Sequence, residues 1–271
     1  MIRAALVLVV ALACASPVAH AGADCTAQPL EPDEVARAAA TALTIRAALD
    51  ASDAPLALVA RAGTDLSKHG LHYSHVGIAV REHRDGAWTV VHLLNHCGSD
   101  QSHLHAEGLV NFFADRLVNQ DVRVVWLEPV RATRLRRLII DGSLHRLHEP
   151  RYNLIARTGS RRWQNSTSWI LEMLAAADAD TPAPTRREAA EHIKATAFQP
   201  DIVHVPYSQR VLGGLFGSNV AFTDHPIATR LSGDYPVVTV RAIVRWLEAR
   251  RLIVAQREWI DGVSVARLGP L

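Results

Sequence analysis

Tyr73-Ser74-His75-Val76-Gly77-Ile78-Ala79-Val80-Arg81 alternates with a period of two. Ser74, Val76, Ile78 and Val80 fall on one face of a strand, and Tyr73, His75, Gly77 and Ala79 on the other. The first face is aliphatic and belongs in a core. The second sets a histidine beside two small side chains, which let another element approach closely. Asp85-Gly86 predicts a hairpin turn, and Trp88 to Asn95 the return strand. With a two-residue turn there, Ala79 faces His92, and His75, His92 and His96 share one face of the sheet.

Working outward, Leu56 to Ala62 reads as a short strand or a helix tail, and Asp121 to Glu128 as a third strand. Pro32 to Leu49, Ala132 to His148, Ser166 to Ala177, Arg186 to Ala197 and Ala242 to Arg250 read as helices. Ala106 to Arg116 reads as a connecting segment. Ile202 to Val205 and Tyr235 to Val240 are strand candidates on either side of a Gly-rich stretch. Helices before and after an antiparallel sheet predict an α+β fold. Residues 22–180 form the expected core domain, and 181–271 a C-terminal extension packed on it.

Residues 1–21 read as a secretory signal. Arg3 supplies the positive start, Ala4 to Ala15 the apolar run, and Ala19-His20-Ala21 the cleavage site. The run falls short of the about 20 apolar residues a span needs. The expected product is exported and periplasmic, with no transmembrane segment after cleavage behind Ala21. Cys25 and Cys97 then remain, and in an oxidising compartment two cysteines suggest one disulfide. The 271 residues carry a formal charge of +2, with no basic stripe interleaved with aromatics, which argues against nucleic acid as a partner.

Ser166, Trp169, Ile170 and Met173 follow helical spacing, so Ser166 lies on the buried stripe and looks toward the sheet. A helix start offers unpaired N–H groups and a positive dipole end, which could stabilise an oxyanion. These cannot ionise a serine. A working Ser166 needs His75 as general base within hydrogen-bond reach. Asn165 and Ser166 are also ordinary N-cap residues, and position alone favours capping.

Together these residues resemble the circularly permuted NlpC-like hydrolases and acyltransferases of papain-like fold. The resemblance rests on Ser74-His75-Val76-Gly77-Ile78, Val90-Val91-His92, Glu107 to Phe113, Tyr152-Asn153-Leu154-Ile155 and Asn165-Ser166, and spans residues 57–177. It implies a papain-like α+β fold in which His75 is the base, His92 orients it, and position 166 is the nucleophile. Tyr73, Tyr152, Gln164 and Asn165 would line the substrate cleft. The family's pattern has cysteine where this chain has Ser166, so a thiol mechanism is excluded there. The mature chain, including Asn219 to Pro226 and Val238 to Arg241, also resembles an uncharacterised exported bacterial family, domain-of-unknown-function family 2145.

Two functions follow as expectations. One is an exported amidase, peptidase or acyl hydrolase on envelope substrates, using Ser166, His75 and His92 and no cofactor. The other is an inert relative that kept the cleft and binds an envelope small molecule, peptide, lipid or protein partner. A metal site built from His75, His92 and His96 ranks third, because no HExxH or CxxC spacing occurs among the 14 histidines and three cysteines. Asp224-His225-Pro226 with Arg230 reads as a turn rather than a substrate loop.

Overall fold

A computed structural model describes residues 29–179, 184–216 and 218–265. The signal segment and Cys25 lie outside the described residues. The fold is α+β. Its centre is a seven-stranded sheet in the order β4-β3-β2-β1-β5-β8-β9, with every pair antiparallel. The strands are β1 (Leu56–Arg61), β2 (His75–Val80), β3 (Thr89–Asn95), β4 (Ser102–Glu107), β5 (Val122–Leu127), β8 (Ile253–Ile260) and β9 (Val263–Val265). A separate two-stranded sheet pairs β6 (Asp201–His204) with β7 (Asp234–Val237).

Each face of the main sheet has its own core. Leu58, Ala60, Val76, Ile78, Val91 and Leu93 face one side. There they meet Trp169, Ile170 and Met173 of helix α4 (Ser166–Ala179), and Val240 and Ile243 of helix α8 (Val240–Ala249). Ala57, Val59, Ala79, Val90, Val122 and Val124 face the other side. They are covered by helix α1 (Pro32–Asp50) and the short helix α2 (Leu109–Phe113). Helix α1 starts at Pro32 with Asp33 and Glu34 in its first turn, where acidic groups complement the dipole. It buries Ala38, Ala42, Ile45 and Leu49, a stripe at helical spacing. Strand β1 is buried along its whole length, which settles it as a central strand covered on both faces.

Four expectations are corrected here. The hairpin turn centres on Arg84-Asp85, with His83 paired to Gly86, rather than on Asp85-Gly86. Ala79 therefore faces Val90, not His92. The slip is two residues, so the faces are unchanged. The first two residues of the segment read as a connector, Ala106 and Glu107, end strand β4, whose Ser102-His103-Leu104-His105-Ala106-Glu107 is polar because it forms the sheet's edge. The helix expected to reach His148 ends earlier, as α3 (Pro129–Ile140), and a 3₁₀ turn follows at Ser143–Leu147. Finally, the C-terminal region does not merely pack on a core. Strands β8 and β9 extend the main sheet, and α8 supplies Val240, Ala242, Ile243, Val244, Trp246 and Leu247 to the α4-side core.

Candidate functional site

His75 opens β2 and sits across from Arg61 of β1. Gly77 follows two residues on. A Cβ there would lie 2.5 Å from Val90 Cγ1 and 3.3 Å from both His92 Cβ and Phe112 Cε2. The bare backbone is what lets Phe112 and His92 close over this part of the sheet. Gly77→Ala is expected to cost about 1 kcal/mol or more, because packed cores resist added methyl groups. A urea melt of the variant checks this, and an unchanged midpoint would count against the packing argument.

His75, His92 and Glu107 form a chain. His75 Nε2 lies 2.9 Å from His92 Nδ1. His92 Nε2 lies 2.8 Å from Glu107 Oε1, a charge contact out of line with a directed hydrogen bond. The carboxylate favours a proton on His92 Nε2, which leaves Nδ1 to accept from His75 Nε2–H. Below them, Arg61 donates to the Phe112 carbonyl and pairs with Asp115 at 2.7 Å. Its guanidinium carbon stands 4.5 Å over the Phe112 ring. His92 is fully buried and His75 nearly so. Burial holds the His75 imidazole well below its ordinary value, with Arg61 and His92 pushing the same way. Burial also lowers His92, against the pull of Glu107. Both rings are therefore neutral at pH 7, oriented by one carboxylate and covered by Phe112.

Ser166 stands elsewhere. Asn165 is the cap of α4: its Oδ1 accepts from Ser168 N at 2.8 Å, and its own N–H donates to Ser168 Oγ at 2.8 Å. Ser166 is thus the first residue of the helix, and its hydroxyl lies close enough to the Tyr152 phenol to pull that phenol down. Burial pushes that phenol up to about 12. Tyr152 belongs to the α4-side core, together with Val76, Ile78, Val91 and Leu93. His75 and His92 alternate with those residues and point to the opposite face, against Phe112. The sheet itself separates the expected nucleophile from the expected base. Of the three residues expected as one constellation, His75 and His92 meet, and Ser166 lies with Tyr152 on the other face. The sequence carried the parity that gives this away, since the aliphatic face of β2 is the one that α4 must cover.

The four residues expected to line a cleft are all buried. Tyr73 sits in the α4-side core, where burial and the Glu258 carboxylate raise its phenol. Gln164 spends both ends of its amide: Oε1 accepts from Glu149 N at 2.9 Å, and Nε2 donates to Leu147 O and Glu172 Oε2, each at 2.8 Å. Asn165 Nδ2 donates to Leu154 O at 2.9 Å. These are framework residues. So is Asn153, whose side chain exchanges hydrogen bonds with both backbone groups of Ala221. Asp224 accepts from Arg157 N at 2.8 Å and Ser160 Oγ at 2.7 Å, and His225 Nε2 meets the Ile155 carbonyl at 2.7 Å. The Asn219 to Pro226 segment thus closes on the Tyr152 to Ser160 loop.

The third expectation is corrected as well. His96 stacks edge-on against His103 at 4.4 Å rather than converging with His75 and His92. Among the described residues, no group of three or more His, Cys, Asp or Glu is placed to hold a metal ion. Cys97 lies exposed in the turn after β3, and pairing with Cys25 falls outside the described residues. Among the described residues, no helix is long and apolar enough to cross a membrane.

Residues 48–247 match the family described as uncharacterized protein conserved in bacteria (DUF2145). The chain belongs to that family. The DUF2145 match runs across residue 180, in keeping with a sheet that both halves of the chain build. No curated protein and no solved structure matches this DUF2145 chain.

Proposed function

We propose that this chain is an exported, non-catalytic binding protein on a papain-like scaffold, in which Ser166 serves the frame. One observation carries the reading: His75 and Ser166 lie on opposite faces of the sheet. A serine hydroxyl reacts only with a base within about 2.6–3.2 Å, and a helix start cannot replace that base. The Tyr152 contact and the Asn165 cap give position 166 a structural role instead. The papain-like scaffold is supported by the Ser74 to Ile78 motif on an inner strand and by a buried helix opening at Asn165-Ser166. Export to the periplasm is supported by the leader pattern of residues 1–21, and a Cys25–Cys97 disulfide by the same compartment. The ligand on this reading is an envelope small molecule, peptide, lipid or protein partner.

A second reading, a hydrolase with His75 as base, draws support from the Glu107–His92–His75 chain, which fixes a tautomer as catalytic bases require. Against it, His75 Nε2 is spent on His92, and the pair lies under Phe112. A fluorophosphonate probe distinguishes the two on mature wild type, Ser166→Ala and His75→Ala. No labelling of Ser166 in folded protein is expected. Labelling at Ser166 that both substitutions abolish would overturn the non-catalytic reading.

A further inference from the structure

Helix α6 (Tyr207–Phe216) and helix α7 (Ile227–Ser232) repeat one pattern. Each sets an apolar residue, an arginine and an apolar residue at i, i+3 and i+4: Tyr207, Arg210 and Val211 on the first, Ile227, Arg230 and Leu231 on the second. That spacing puts the three residues on one face of each helix. The two faces line one open groove of about 270 Å³, floored by Phe222 and Tyr235, whose rings lie 5.3 Å apart. Tyr207, Ile227 and Leu231 are 74, 70 and 76 % exposed and line the same groove, a contiguous apolar patch of the kind that marks an interaction site.

The charge of the groove has one sign. Arg210 is pinned there: its Nη1 caps the end of α7 through the carbonyls of Arg230 and Leu231. Its Nε is buried with no partner, a donor left without an acceptor. Arg230 is exposed at the rim. Among the described residues, no carboxylate lines the groove. The acids that neighbour Phe222 and Tyr235 in sequence are engaged elsewhere, Asp224 by Arg157 and Ser160, and Asp234 by His204 at 2.8 Å. A peptide laid in this groove would need partners for every backbone N–H and C=O group, and the lining side chains offer few: two guanidinium groups and the hydroxyls of Tyr207 and Tyr235. An acyl chain has no such need. The volume suits one chain, since a dry cavity of about 150 Å³ already takes a benzene.

We infer that this groove binds a single-chain anionic amphiphile, with its carboxylate or phosphate head on Arg210 and Arg230 and its tail along Tyr207, Val211, Ile227 and Leu231. The inference is separate from the fate of Ser166, which the labelling experiment decides.

The test is calorimetric titration of the mature chain with dodecanoate below its micellar concentration. One dodecanoate should bind per chain. Hexanoate, with less tail to bury, and dodecyltrimethylammonium, with the opposite charge, should bind at least about tenfold more weakly. Leu231→Asp and Arg230→Gln, both at exposed positions, should each weaken dodecanoate at least about fivefold without shifting the thermal midpoint. Absent binding in folded wild type, equal affinity for the ammonium, or unchanged affinity in both variants would overturn the proposal. So would adsorption to anionic phospholipid vesicles without binding of the monomeric amphiphile, which would make the face a membrane contact instead.

Discussion

Arg186→Ala is expected to destabilise the protein by about 3–5 kcal/mol at pH 8, and by much less at pH 5. Arg186 lies at the start of helix α5 (Arg186–Ala195) and grips Glu172 of α4 with two bonds, Nε to Oε2 at 2.8 Å and Nη2 to Oε1 at 3.0 Å. The same guanidinium donates to the carbonyls of Ser160 and Trp163, tying the loop before α4 to the helix. Glu172 is buried in the middle of α4, and burial pushes its carboxyl up to about 7 even with Arg186 and Gln164 pulling it down. Without Arg186, a charged Glu172 would be an unpaired ion in the core, which costs far more than the pair contributes.

The pH dependence follows from the sign of that shift. A carboxyl raised in the folded state binds its proton more tightly there than in the unfolded chain. Its contribution to stability is fully present below about 4.5 and is lost as pH rises through about 7. At pH 5 the variant holds a neutral Glu172 and loses mainly loop hydrogen bonds. At pH 8 it must bury a charge or take up a proton against the solvent. Urea denaturation of wild type and variant at both pH values measures this. Adding Glu172→Gln to the variant should recover most of the pH 8 loss. An equal penalty at both pH values, unmoved by the second substitution, would mean that Arg186 acts only as a loop tether.

The parts of the molecule that a period of two or 3.6 governs were legible in the sequence. Strands β2, β3 and β5 and the helices α1, α4, α5 and α8 lie within a few residues of their expected bounds. The parity that puts His75 and His92 together was legible despite a misplaced turn, because a slip of two leaves every side chain on its face. What was not legible falls into two kinds. Strand β4 is short and polar in pattern, helix α7 spans only six residues, and helix α6 carries Gly213-Gly214, so that its stretch reads as Gly-rich rather than helical. The sheet's two-sided covering was the other. From Ser166, Trp169, Ile170 and Met173 one reads that Ser166 points at the sheet, and it does. Which face it meets depends on α1 and α2 occupying the other one, a long-range fact that local spacing does not contain.

Acidification below about pH 6.5 is expected to expose the buried histidine pair as a destabilising load, with His75 and His92 acting in the same direction. The sign is opposite to that of Glu172. Both imidazoles are depressed in the fold, so their contribution is present above about 6.5 and is lost as pH falls toward their folded values. Each proton taken up only by the unfolded chain costs about 1.4 kcal/mol per pH unit. The groups facing the pair set the balance. Arg61 repels a proton from both rings, His105 repels one from His92, and Glu107 draws one toward His92. In wild type the histidine and Glu172 effects overlap in the same pH window and partly cancel. Glu172→Gln should therefore steepen the acid limb, and His75→Gln in that background should flatten it again, by up to about 1.4 kcal/mol per pH unit. Denaturant melts from pH 7.5 to 5 read the slopes directly. A limb that His75→Gln leaves unaltered would mean that His75 takes up its proton in the fold as readily as in the unfolded chain, and that the pair of neutral imidazoles beside the Glu107 carboxylate is not the state the protein holds.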